Sequence, residues 1–222
     1  NAAGRARREV LVAQAAGPVS AGAQALADGR VAQMVAVPAF GLAPLASVDA
    51  DTNASQPTHA VHVTEHSFAN GLIAMKWGLD GTITSIIDVR AGREVLSPGA
   101  SVHLEIAPDR PVEYDAWDLE HWTHRAAAPL ADGGDEVVVV DAGPLLATLR
   151  ITHRLPRSTI VQHVTVRAGS ARLDIAFDID WHDDEQLLTL AVPVDVRARE
   201  AACDIQFGHV MRPTHASTSW DA

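Results

Sequence analysis

From residue 59 onward the chain repeats one pattern: short apolar and β-branched runs, each closed by turn-forming residues, with no stripe of 3.6-residue period. Nothing else in the sequence constrains the fold as strongly. Side chains alternate faces along a strand, so apolar residues at every second position make one buried face. A helix needs them three and four apart. His59, Val61 and Val63 alternate with smaller or more polar neighbours. Residues 72–77 and 82–87 flank Gly78-Leu79-Asp80-Gly81, where Asp-Gly supplies the positive-φ chemistry of a tight hairpin. Residues 136–140 are rich in valine, too few for a stable helix, and follow the turn Asp132-Gly133-Gly134-Asp135. Residues 145–155, 159–166, 171–179, 187–192 and 201–207 each predict one strand. Between them lie Pro156, Ala168-Gly169-Ser170, His182-Asp183-Asp184-Glu185 and Arg197-Ala198-Arg199-Glu200. Only residues 116–123 admit a short helix. The expectation is an all-β chain arranged as an antiparallel β-sandwich.

The first part of the chain has the same character at lower density. Residues 9–14 begin a β-like run, and residues 31–38 and 40–45 give two more short apolar segments, punctuated by Pro18, Gly22 and Asp28-Gly29. Residues 49–58 are polar and poor in large apolar side chains, which marks a linker. The predicted organisation is the end of a small β domain at 1–48, a linker at 49–58, and a large sandwich at 59–222. The last residues, from Phe207 to Asp221, crowd a cation, two imidazoles, hydroxyls, an indole and a carboxylate into one segment that stops at Ala222. The sandwich therefore reads as truncated at its C-terminus, a piece of a larger protein.

Charge and cysteine content exclude several function classes. The formal net charge of −11 argues against a nucleic-acid partner, because a phosphate-binding surface needs a cationic face. Arg5-Ala6-Arg7-Arg8 is the nearest thing to a basic block and reads as a frayed terminus. Cys203 is the single cysteine, so no intrachain disulfide can form; it reads as a small buried hydrophobe and fits a reducing compartment. The apolar runs are far short of the ~20 residues that span a bilayer, so no membrane partner is expected. No paired-cysteine, HExxH, GxSxG or P-loop motif is present. His59, His62 and His66 share one segment, yet on a strand His59 points away from the other two, and they read as strand and linker residues rather than metal ligands.

The segment Phe207-Gly208-His209-Val210-Met211-Arg212-Pro213-Thr214-His215-Ala216-Ser217-Thr218-Ser219-Trp220-Asp221 resembles the RPTHxNTSWD signature of glycoside hydrolase family 38 α-mannosidases, particularly the cytosolic or vacuolar-type and bacterial members. Further stretches follow the family's order. They are Asn70-Gly71-Leu72, the run from Asp80 to Asp88, Gly92-Arg93-Glu94-Val95, Asp109-Arg110-Pro111, and Tyr114-Asp115-Ala116-Trp117-Asp118. Asp180-Trp181-His182-Asp183, Val192-Pro193-Val194-Asp195-Val196 and Asp204-Ile205-Gln206-Phe207-Gly208 continue it. The sequence departs from the family at Ser217, where Asn is usual, and at Thr189, where Lys is usual.

The resemblance implies a large sandwich of the galactose-mutarotase-like type, preceded by a remnant of a smaller β domain. It implies a parent enzyme that hydrolyses terminal α-mannosides by a retaining mechanism, with zinc or another divalent metal in a catalytic domain upstream. Retaining chemistry needs two carboxylates astride the scissile bond. Neither these nor the metal ligands map onto this chain, so it is expected to hold no catalytic residue and no metal. Its expected partners are the catalytic domain of the same polypeptide and a mannose-containing glycan, in the cytoplasm, and an oligomeric full-length protein is compatible with the reading.

Two segments are candidates for a sugar-binding wall. Asp115 and Asp118 have carboxylates that accept paired hydrogen bonds from sugar hydroxyls, and the Trp117 indole suits the apolar face of a pyranose. The alternative makes Trp117 core and both aspartates turn caps. Arg212 and His215 are the second pair, with the guanidinium clamping a sugar hydroxyl or an aspartate of the catalytic domain. The alternative there is an interdomain loop with Arg212 paired to a carboxylate such as Asp221. A stand-alone carbohydrate-binding β-sandwich or a purely structural interaction domain would carry the same strand pattern.

Overall fold

Alternation becomes strand after strand in the computed structural model, which describes residues 1–14, 19, 22–43, 57–114, 119–120, 122–130 and 134–215. In chain order the strands begin with β1 (Arg7–Gln14), β2 (Gln24–Ala25), β3 (Arg30–Val37), β4 (His62–Thr64), β5 (Ser67–Ala69) and β6 (Ile73–Trp77). Next come β7 (Ile83–Asp88), β8 (Arg93–Glu94), β9 (His103–Pro108), the single turn of helix α1 (Thr123–Ala126), β10 (Ala128–Pro129) and β11 (Glu136–Ala142). The series closes with β12 (Leu146–Arg154), β13 (Thr159–Arg167), β14 (Leu173–Asp180), β15 (Gln186–Ala191), β16 (Glu200–Ile205) and β17 (Gly208–Pro213). Every ladder is antiparallel, and the fold is all-β as its patterning predicts. The helical turn shares only Thr123 with the span 116–123 where a short helix is expected and runs on to Ala126; residues 116–118 and 121 of that span lie outside the described residues.

The chain forms two compact units, Asn1–Val95 with Asp132–Trp181, and Leu96–Ala131 with His182–Ala222. The first holds three sheets, in the orders β1-β3-β2, β4-β5-β6-β7-β8 and β11-β12-β13-β14. Its core is the alternating face of β13 (Ile160, Gln162, Val164, Val166) and the almost wholly buried β12, with Leu149 and Ile151. Phe68, Met75 and Ile83 come from the five-stranded sheet, and Trp77 meets Phe68 edge-on with ring centroids 4.7 Å apart. Each such side chain contributes about 1.5–3 kcal/mol when fully buried. The β6–β7 turn shows why the two sheets sit so close. Gly81 has φ +78°, and a Cβ there would lie 2.9 Å from Ile151 of β12. Only glycine satisfies both the turn and the neighbour.

Side-chain amides join the sheets of this unit. Asn70, 1% exposed, donates from Nδ2 to the carbonyls of Arg167 and Ser170, both at 2.6 Å. Its Oδ1 accepts from the N–H groups of Leu72 and Ile73, both at 3.0 Å. Gln24 does similar work for the first segment. Its Oε1 accepts from the N–H groups of Leu145 and Leu146 at 3.0 Å, and its Nε2 donates to the Leu146 carbonyl at 2.9 Å. The amide lies against Gly143, where a Cβ would come within 2.1 Å of Gln24 Cδ.

The second unit holds the sheet β10-β9-β15 and the two-stranded β16-β17, with an antiparallel bridge between Leu96 and Val194. Leu96, Val102, Leu104 and Ala107 are its buried apolar residues. The sequence predicts strands where β1, β3, β6, β7 and β11 to β16 form. The described part of 40–45 makes no strand, and β17 occupies residues that the sequence pattern presents as a polar segment. Cys203, expected to be buried, is half-exposed on β16 because the hairpin has no covered face among the described residues. Most of the predicted linker, 49–56, lies outside the described residues.

Candidate functional site

β9 and β15 pair from Gln186 opposite Pro108 to Ala191 opposite His103, which places the end of β9 beside the start of β15. Two of the sequence motifs therefore meet at one edge of the sheet. The loop leaving β9 begins with Asp109-Arg110-Pro111, and the loop entering β15 is His182-Asp183-Asp184-Glu185. Asp109 N–H donates to the Glu185 carbonyl at 2.9 Å, and Arg110 Nε lies 2.6 Å from Glu185 Oε2. Glu185 takes φ +53° to make both contacts, and Tyr114, further along the first loop, takes φ +57°. Non-glycine residues in this region are uncommon and cluster at functional loops.

One acid in the loop stands out. Asp109 Oδ1 is buried with no hydrogen-bond partner among the described residues. A carboxylate oxygen removed from water normally finds a donor. Asp109 was legible as part of a motif and not as a binding group, since the burial of a single oxygen depends on tertiary placement. Glu185 belongs to a run that the sequence marks as a loop. Val112 and Tyr114 are exposed beside them, so the rim of the loop is both apolar and polar.

Asp115, Trp117 and Asp118 come next in sequence after Tyr114 and lie outside the described residues, as does Asp221. Arg212 is exposed on β17, opposite Ala201 of β16. No hydrogen bond or ion pair among the described residues joins it to the Asp109 loop. His215 is exposed just past the strand, where Thr214 Oγ1 donates to the Ala198 carbonyl at 2.6 Å and Thr214 N–H to Arg199 O at 3.1 Å. Those two bonds close the end of the hairpin and fix where His215 emerges. The hairpin also turns through Phe207 at φ +64°, with its ring fully exposed.

On β9, His103 Nε2 lies 3.1 Å from Glu105 Oε1 and its Nδ1 2.9 Å from the Ser101 carbonyl. Thr189 is the cross-strand neighbour of Glu105. A lysine at 189 would face that carboxylate, and here His103 engages it instead. No three of His, Cys, Asp and Glu converge among the described residues in a way that fits a metal ion.

The family of the Glycosyl hydrolases family 38 C-terminal domain matches residues 68–222, which spans both motif loops and the β16–β17 hairpin. The chain belongs to that family. Its sequence is 31% identical over 210 residues to Alpha-mannosidase 2C1 of Homo sapiens, covering 92% of this chain and 20% of that protein. It is 32% identical over 159 residues to Alpha-mannosidase G of Dictyostelium discoideum, covering 68% of this chain and 14% of the relative. The chain thus spans about a fifth, or less, of the length of these curated relatives. The crystal structure of an alpha-mannosidase from Enterococcus faecalis V583 matches 98% of this chain and 28% of that one, with a TM-score of 0.53 and 15% identity, a likeness of fold. Among the described residues no helix is long and apolar enough to cross a membrane.

Proposed function

We propose that this chain is a non-catalytic C-terminal part of an α-mannosidase that removes terminal α-mannosyl groups with retention, using a divalent metal held elsewhere in the polypeptide. The observation that carries the reading is the family match over residues 68–222, together with relatives named as alpha-mannosidases. On this reading the chain has two tasks, scaffolding the catalytic domain and supplying part of the sugar-binding wall. The exposed apolar residues of the hairpin and its approach (Val194, Val196, Ile205, Phe207 and Met211) support the first task, since apolar groups gathered on one element favour contact with another surface. The unpartnered Asp109 oxygen supports the second, and Asp115, Trp117 and Asp118 follow it closely in sequence. Arg212 and His215 then belong to the docking side, with Arg212 gripping a carboxylate of the catalytic domain. The proposed partition remains a small β domain at 1–48, a linker at 49–58 and the large sandwich from 59. The proposed setting is the cytoplasm, as the cytosolic-type resemblance implies.

The described residues do not fit a metal, so no step of the chemistry is assigned to a metal in this chain. What the chain's own residues do is accept hydroxyl protons in hydrogen bonds, present an indole to the sugar face, and hold the loop that carries them. The test is kinetic. The full-length protein should hydrolyse an aryl α-mannoside, whereas the 222-residue chain should not, with or without added zinc or cobalt. Asp115→Asn in the full-length protein should lower kcat/KM about tenfold to a hundredfold, the loss of one charge-assisted bond. An unchanged melting temperature with that loss supports sugar binding. A lowered melting temperature with intact kcat/KM makes Asp115 a turn cap and removes it from the wall.

A further inference from the structure

Five of the chain's sixteen arginines, Arg5, Arg7, Arg8, Arg167 and Arg172, line a single cleft of about 820 Å³ in the first unit. Two separate elements build it: the start of β1, and the β13–β14 turn. The segment read as a frayed terminus is held in place. Arg7 and Arg8 pair with Val37 and Ala36 of β3, and the Arg5 carbonyl accepts from Asn1 Nδ2 at 2.9 Å. The turn is held from behind by Asn70, bonded to the carbonyls of Arg167 and Ser170.

The charges do not cancel. Glu9 is the only carboxylate lining the cleft among the described residues, and it pairs with Arg7 at 3.2 Å. Asp174 is shared by Arg167 and by Arg172, whose Nε lies 2.6 Å away. Arg5 and Arg8 have no ion pair among the described residues. Five arginines thus line the cleft with one carboxylate, Glu9, and Asp174 outside it pairs with two of them, in a chain whose formal net charge is −11. Gathering like charges costs free energy unless a counter-charge arrives. A guanidinium presents a planar fork of donors matched to oxyanions. Arginines supplied by two elements can meet one oxyanion from two directions, which suits the several oxygens of a tetrahedral phosphoryl group better than a planar carboxylate.

We propose that this cleft binds an oxyanion of the phosphate-monoester class. None of its lining residues belongs to the motif loops, and it does not depend on the mannosidase reading. The experiment is calorimetric titration of the full-length protein with inorganic phosphate, glucose 6-phosphate, and glucose as the neutral control. Saturable phosphate binding that weakens as salt rises is expected, with no glucose binding. Tighter binding of glucose 6-phosphate identifies a phosphorylated sugar as the ligand type, and equal affinities identify free phosphate. The double variant Arg5→Gln/Arg8→Gln, at exposed positions, should lose affinity about tenfold or more with an unchanged melting temperature. Arg8→Lys should retain part of it, because charge survives and the fork does not. Absence of saturable binding for both anions, or binding that the double variant leaves intact, would overturn the proposal.

Discussion

β13 and β17 are both antiparallel strands with regular ladders, yet one is core and the other is almost all surface. β13 is paired on both edges and buries every second residue, Ile160, Gln162, Val164 and Val166. β17 is paired only with β16, and of its six residues Val210 alone is even half-buried. A ladder makes a strand, whereas a covered face makes a core. Two strands alone are marginal in water, so the hairpin is expected to draw its stability from a surface beyond the described residues. The alternating face of β13 carries its own.

The strongest way to break this comparison is to delete one methylene-rich side chain on each side of it. Ile151→Ala on β12, beside β13 and against Gly81, should destabilise the 222-residue chain by about 2–5 kcal/mol in denaturant unfolding, because it leaves a cavity. Met211→Ala on β17 should change the same measurement by less than about 0.5 kcal/mol. Equal losses would show that the hairpin is as well packed as the core.

Asn70→Ala comes next. It removes four hydrogen bonds at a site 1% exposed and takes a donor from the carbonyls of Arg167 and Ser170, of which the first keeps the Ser170 N–H at 3.3 Å. A loss of about 1–3 kcal/mol is expected, read as a shift in the denaturant midpoint. A shift no larger than that of Met211→Ala would mean that water replaces the amide.

Arg212→Lys sharpens the other side. In the full-length protein it should cost about 1 kcal/mol in the unfolding of the part that contains the hairpin, while KM changes little, since the charge stays and the two-pronged grip is lost. A raised KM with unchanged stability would move Arg212 from docking to sugar contact.

The smallest effect is at Asp28. The backbone N–H of Arg30 donates to its carboxylate at 2.9 Å and holds the carboxyl below its usual range, with burial opposing and the Arg30 guanidinium assisting. A carboxyl lowered in the folded state stabilises above its unfolded value, and that contribution disappears as pH falls through the folded value. The stability gap between the wild type and Asp28→Asn should therefore narrow on acidification, followed by midpoints measured from neutral pH downward. A gap that widens would assign the wrong sign to the contact.

The same contrast explains what could be read in advance. The β6–β7 hairpin was legible because Asp80-Gly81 carries its turn, and β12 to β14 because their apolar residues and breaks are regular. β17 was not, since its turn uses Phe207 at positive φ where glycine is the usual signal, and its outward residues are polar enough to pass for a loop. β9 carries Leu104 and Ala107 as buried positions among His103, Glu105 and Pro108, too mixed a run to declare itself. At the candidate site, Asp109 and Glu185 are far apart in the chain and meet only through the β9–β15 register, which no local pattern encodes. The anchoring of Arg7 and Arg8 likewise depended on β3.

Gln24 has a consequence for how the chain comes to be folded. Its amide behaves as a detached peptide group, taking up two donors and one acceptor at the β11–β12 turn. Those partners lie 121 and 122 positions later. During synthesis the clasp cannot close until Leu146 has left the ribosome, and closing it spans a long loop, which slows late folding steps. β1 to β3 can pair early, but their seat against the four-stranded sheet is filled only after Leu146 has been made.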